Sequence, residues 1–72
     1  MAVGRSVARV TEISAESPES FEEAIRAGIE RATATLRNVK GAWIKEQHVI
    51  VEDGSVAGFR VDMMVTFVLE NE

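Results

Sequence analysis

The sequence predicts an α+β fold with the element order strand, helix, strand, strand, or β-α-β-β. Three observations carry that reading. Apolar residues recur at helical spacing through the first half of the chain. Residues 59–69 alternate between two sets of side chains, as a strand requires. An Asp-Gly pair, Asp53-Gly54, sits between two β-rich runs and signals a hairpin.

Taken in order, residues 7–14 are rich in β-branched side chains with interleaved charge, which suits a strand open on at least one side. Their periodicity is mixed, and an edge position explains the mixture. Residues 15–20 read as a turn loaded with helix-start chemistry. Ser20 followed by Glu23 forms a capping box, in which each side chain satisfies the other residue's free N–H. Ser17-Pro18 is the competing start, since Pro fits the first helical position. Glu19, Glu22 and Glu23 favour the positive end of the helix dipole in either case.

From there Phe21, Ile25, Ile29, Ala32, Leu36 and Val39 follow helical spacing, with Ala24 and Gly28 beside them. Charged residues fall largely on the opposite side. Glu22 and Arg26 stand four apart in the favourable order. Gly28 weakens a helix interior by about 0.5–1 kcal/mol relative to Ala, so its use is a close approach of helix to sheet. Asn38 tolerates left-handed geometry and suits the helix end.

Two extended runs follow, residues 41–51 and 56–69, joined by Glu52-Asp53-Gly54-Ser55. In the second, Phe59, Val61, Met63, Val65, Phe67 and Leu69 share one face, large and apolar enough to meet the helix. Arg60, Asp62, Met64, Thr66 and Val68 share the other. In the first run, Ala42 and Ile44 fit under the helix, leaving Trp43, Lys45 and Gln47 on the side away from it. Apolar content switches sides near residues 46–49, which predicts a bulge or a strand that outruns its helix. One helix covers one side of such a sheet. The other side is expected to carry Trp43, Met64, Val68 and Val49 among Arg60, Lys45 and Gln47. A surface of that kind marks an interface or a ligand site.

Bulk numbers favour the interface. With 72 residues the chain makes one domain, 1–72, that buries a low share of its surface. There is no Cys, so disulfides and Cys-based zinc sites are excluded, and His48 is the sole histidine. Self-association is the reinforcement left. A formal net charge of −4 with no Lys/Arg run makes a poor nucleic-acid surface. No apolar run approaches the roughly 20 residues that span a bilayer, and residues 1–5 lack a signal-peptide layout. A cytoplasmic protein is expected. Neither nucleophile motif nor phosphate loop is present, which argues against an enzyme. His48 reads as a surface residue. Glu52-Asp53 and Glu70 with Glu72 are carboxylates that collect a cation in some oligomers, but they specify no metal site.

In register, several stretches resemble the dodecin family: Val7-Ala8-Arg9-Val10-Thr11-Glu12-Ile13, Ser17-Pro18-Glu19-Ser20-Phe21-Glu22-Glu23-Ala24, Thr35-Leu36-Arg37-Asn38-Val39, Glu46-Gln47, Glu52-Asp53-Gly54 and Val65-Thr66-Phe67-Val68-Leu69. The resemblance implies a three-stranded antiparallel sheet wrapped on one helix and a hollow homododecamer. It also implies non-catalytic storage or buffering of a flavin, riboflavin or FMN, held in pairs at subunit interfaces between aromatic side chains. The family's stacking Trp directly follows an Asn-hydrophobic-basic triplet. Here Asn38-Val39-Lys40 is followed by Gly41, and the indole arrives two residues later as Trp43. Positions 41 and 43 share a strand face, about 6.5–7 Å apart. Gln47 and Arg60 align with the family's polar contacts to the flavin ring. Val68 stands where some members carry a basic residue for a phosphate. Trp43 is thus either a stacking platform or the filling of a subunit contact. Gln47 and Arg60 either bind the ring edge or pair with charges of a neighbouring copy. The alternative function is a flavin-free assembly whose pocket is closed or holds another small ligand or cation.

Overall fold

The computed structural model describes residues 5–69. It contains β1 (Ala8–Ser17), α1 (Phe21–Thr35), β2 (Val39–Glu52) and β3 (Ser55–Val68), the expected order of an α+β chain. All three strands join one antiparallel sheet in the order β1-β3-β2. β1 is therefore an edge strand. β3 is central, and its clean alternation reflects a partner on either side.

Local chemistry sets the ends of α1. The Ser20 hydroxyl accepts the Glu23 N–H at 3.0 Å, as a capping serine should. Ser17 plays a different part: it ends β1, and its hydroxyl accepts the Glu19 N–H at 2.9 Å. The strand therefore runs three residues further than expected, because Ala15 and Ser17 pair with Val61 and Phe59. At the other end the helical spacing overran the helix. Leu36 is already extended, with φ −104° and ψ 141°, and its N–H reaches Ala32 O at 2.8 Å. Asn38, at φ 62°, turns the corner, and Val39 opens β2 opposite Phe67. The hairpin behaves as its Asp-Gly pair demands: Asp53 has φ 52° and Gly54 φ 78°.

The core lies between α1 and the sheet. Ala24, Val61 and Met63 are buried at its centre, and Ile13, Ala15, Phe21, Ile25 and Ile29 pack around them. Phe21 meets Phe59 edge to face, with ring centroids 5.1 Å apart. Gly28 is where helix and sheet approach. A Cβ there would overlap Met63 Cε and come within 3.2 Å of Ala15 Cβ.

The helix is not centred. It packs on β1 and β3 and scarcely touches β2. Ile44 consequently lies opposite Met63 on the helix side of the sheet yet stays 38% exposed, and Ala42 is exposed too. The expectation that both fit under the helix is corrected accordingly. The hairpin runs on beyond the helix, leaving Val49, Val51 and Val56 bare at its end. The radius of gyration is 15.2 Å and the extents are 55 × 20 × 18 Å. A self-contained 72-residue globule would have a radius near 11 Å. The chain is therefore elongated and not globular.

Candidate functional site on the uncovered sheet face

No helix covers the second face of the sheet. Strand register assigns its occupants, because residues directly opposite across an antiparallel pair project to the same side. Met64 lies between Glu12 and Trp43, and Asp62 between Ser14 and Glu46. Arg60 lies between Glu16 and His48. Gly41 stands opposite Thr66. Gly41, Trp43 and Arg60 therefore share the uncovered face, as their sequence positions suggest.

Gln47 does not. It lies opposite Val61, a core residue, so it belongs to the helix side of the sheet, where it is exposed beyond the helix. Val49, opposite Phe59, is likewise on that side. Two irregularities cause the inversion. Lys45 is an extra residue in β2, between Ile44 and Glu46, and Ala57 is an extra one in β3, between Val56 and Gly58. Each unpaired residue switches the parity of its strand. The expected bulge exists, but it falls at Lys45, just before the span assigned to it. Everything after it changes sides. Lys45 itself reaches across β3, with Nζ 3.3 Å from both carboxylate oxygens of Glu12 on β1.

Two groups of side chains result. At one end of the face the Trp43 indole is 53% exposed. A Cβ at neighbouring Gly41 would find no atom within 4 Å, so an open ledge adjoins the ring. Nearer the hairpin, Arg60 Nε is buried without a hydrogen-bond partner, its closest carboxylate oxygen being Asp62 Oδ1 at 3.8 Å. An exposed indole beside an open ledge suits a flat heteroaromatic ligand. Trp43 and Arg60 are four register positions apart, about 13–14 Å along the strand.

The second group was not foreseen from the sequence. His48 Nε2 lies 3.1 Å from Glu46 Oε1 and 3.3 Å from Asp62 Oδ2. The Ser14 hydroxyl donates to Asp62 Oδ1 in a short hydrogen bond. That bond, reinforced by the positive charge of Arg60 and by His48, holds the Asp62 carboxyl below its usual pKa against a partial desolvation that raises it. A Glu-x-His pair on one strand is a signal available to a reader. Its Asp partner is not, because the pairing of Glu46 with Asp62 depends on the Ala57 bulge. Residues 1–4 and 70–72, including the terminal carboxylates weighed above, lie outside the described residues.

Among the described residues no helix is long and apolar enough to cross a membrane. The dodecin family model matches residues 7–70. Dodecin from Streptomyces davaonensis is 38% identical over 94% of this chain and 100% of its own, with a TM-score of 0.88. Dodecin from Streptomyces coelicolor is 31% identical over 97% and 100%, with a TM-score of 0.89. A calcium dodecin from Mycobacterium tuberculosis, described as calcium-chelating with a novel calcium-binding site, is 27% identical over 93% and 96%, with a TM-score of 0.79. No curated protein sequence matches the chain. Family model, fold and the register of its motifs agree: this chain belongs to the dodecin family, small flavin-binding proteins that assemble as dodecamers.

Proposed function

We propose that this chain assembles into a hollow homododecamer in the cytoplasm and binds a flavin, riboflavin or FMN, noncovalently between copies. Its role is storage or buffering and not turnover. The single observation that carries the reading is the exposed Trp43 indole beside the open ledge at Gly41, on a sheet face that the chain does not cover itself. Stacking on the indole supplies about 0.5–1.5 kcal/mol beyond area burial. Arg60, whose side chain is 41% exposed, offers its guanidinium fork to the ring's polar edge. When bound, the flavin brings a redox-active and photoreactive ring, and the protein's part is to enclose it. Gln47 is not placed to join that contact from the same face. Val68 in place of a basic residue favours riboflavin over a phosphate-bearing flavin.

Titration of riboflavin fluorescence tests this. Flavin emission should be quenched on binding, Trp43→Ala should weaken binding about tenfold or more, and Gly41→Trp should strengthen it. Sedimentation should find a particle near 95 kDa, about twelve times the 7.9 kDa chain.

The position of Gln47 favours a second reading, a flavin-free shell of the same architecture in which Trp43 seals a contact between copies. A colourless dodecamer that leaves riboflavin emission unchanged would establish it. A well-folded monomer in dilute buffer would remove both readings.

A further inference from the structure

Glu46, His48 and Asp62 lie on adjacent strands of the uncovered face, held by ladder pairing and not by a loop. One ligating atom from each lies within 4.8 Å of the others. His48 Nε2 stands 3.1 Å from Glu46 Oε1 and 3.3 Å from Asp62 Oδ2. Ligands bound about 2.0–2.2 Å from one zinc ion are separated by about 3–3.5 Å, so two of the spacings already match. We propose that these three residues bind a divalent transition-metal ion of the zinc class.

The donor set decides the class of ion. One neutral imidazole with two carboxylates suits zinc, cobalt or nickel, whereas calcium and magnesium take oxygen donors and gain little from the ring nitrogen. Two anionic ligands neutralise the dication. Asp62 is prepared for the task, because Ser14 occupies Oδ1 and Arg60 stands on that same side, leaving Oδ2 toward His48. A hydroxyl that orients a ligating carboxylate is the usual outer-shell arrangement. All three side chains are reachable in the chain: His48 is 41% exposed, Glu46 57% and Asp62 14%. Three protein ligands leave one or more positions to water or to an added ligand. The present contacts of Nε2 with the two carboxylates are those of the metal-free site. Neither Trp43 nor Gly41 takes part, and Arg60, which borders both sites, is not a ligand here.

The test uses the full chain, tag-free because a tag would add histidines, stripped of metal and assembled as purified. Calorimetric titration with zinc chloride near neutral pH should show one saturable site per chain, with calcium and magnesium roughly 100-fold weaker or worse. His48→Ala and Asp62→Asn should each weaken zinc at least about tenfold, and Ser14→Ala about tenfold. Glu30→Gln, on the exposed side of α1, should leave it unchanged. Because His48 is the sole histidine, nitrogen NMR of its ring in the unmutated protein gives a readout independent of variant folding. Zinc should shift Nε2 and leave Nδ1 protonated. An unshifted ring at saturating zinc, or calcium binding as tight as zinc and indifferent to His48→Ala, overturns the proposal.

Discussion

Met63 and Met64 are consecutive in the chain and belong to different environments. Met63 points under α1 and has no solvent exposure. Met64 points to the face shared by Glu12 and Trp43, where no element of the chain lies over it. Five hydrophobic residues are buried among the described ones, whereas eight large ones stay exposed. The helix covers the β1–β3 part of one face, while the β2 flank of that face, with Ile44 and Val49, and the whole of the other face stay uncovered. The buried hydrophobic cluster lies wholly on the helix side.

Truncating the two methionines in turn breaks this comparison most directly. Met63→Ala should cost about 2–5 kcal/mol in urea unfolding at fixed protein concentration, the range for deleting a buried Met. Met64→Ala should cost under about 1 kcal/mol within the chain and show itself instead as weaker assembly in sedimentation. Equal losses would mean that the two faces are equally buried in the working particle. Gly28→Ala probes the covered face from the helix side. The new Cβ overlaps Met63 Cε; overpacking of about 1–3 kcal/mol is partly offset by about 1 kcal/mol of helix propensity. The expected outcome is a net loss of about 1 kcal/mol. A gain would show that the Met63 side chain swings aside freely. Removing the helix cap by Ser20→Ala should cost about 1 kcal/mol, seen as a lower thermal midpoint.

The smallest effect lies on the uncovered face and depends on pH. Asp62 has a lowered pKa in the fold, chiefly through Ser14. Such a group stabilises the native state above the ordinary aspartate value of 3.8, and that contribution is lost as pH falls through the lowered folded value. Ser14→Ala returns the Asp62 pKa toward normal. The variant should differ from the parent above pH about 4 and converge with it at lower pH, in acid unfolding followed by circular dichroism. A difference that persists unchanged to pH 2 would place the effect of Ser14 elsewhere.

Much of the architecture was legible in local chemistry. Ser20 and Glu23 marked the start of α1, Asp53-Gly54 marked the hairpin, and Gly28 marked the close approach. In each case the cause lies within a few residues or in one backbone angle. The helix end was harder to read, because Leu36 and Val39 continue the apolar spacing while Leu36 is already extended. Gly41, Trp43 and Arg60 were placed on the right face by alternation alone. Gln47 and Val49 were misplaced by that same rule, applied through a bulge. The Glu46–His48–Asp62 cluster escaped it altogether.

What the sequence by itself determined was the set of elements, their order, the family, and an indole-bearing face that the chain leaves uncovered. Those follow from spacing, capping and turn chemistry, which act over a few residues. Only the tertiary structure decided which side chains share each face beyond Lys45. One unpaired residue in a strand reverses every side chain after it, and the partner strand's hydrogen bonds, not the local sequence, choose where that residue falls.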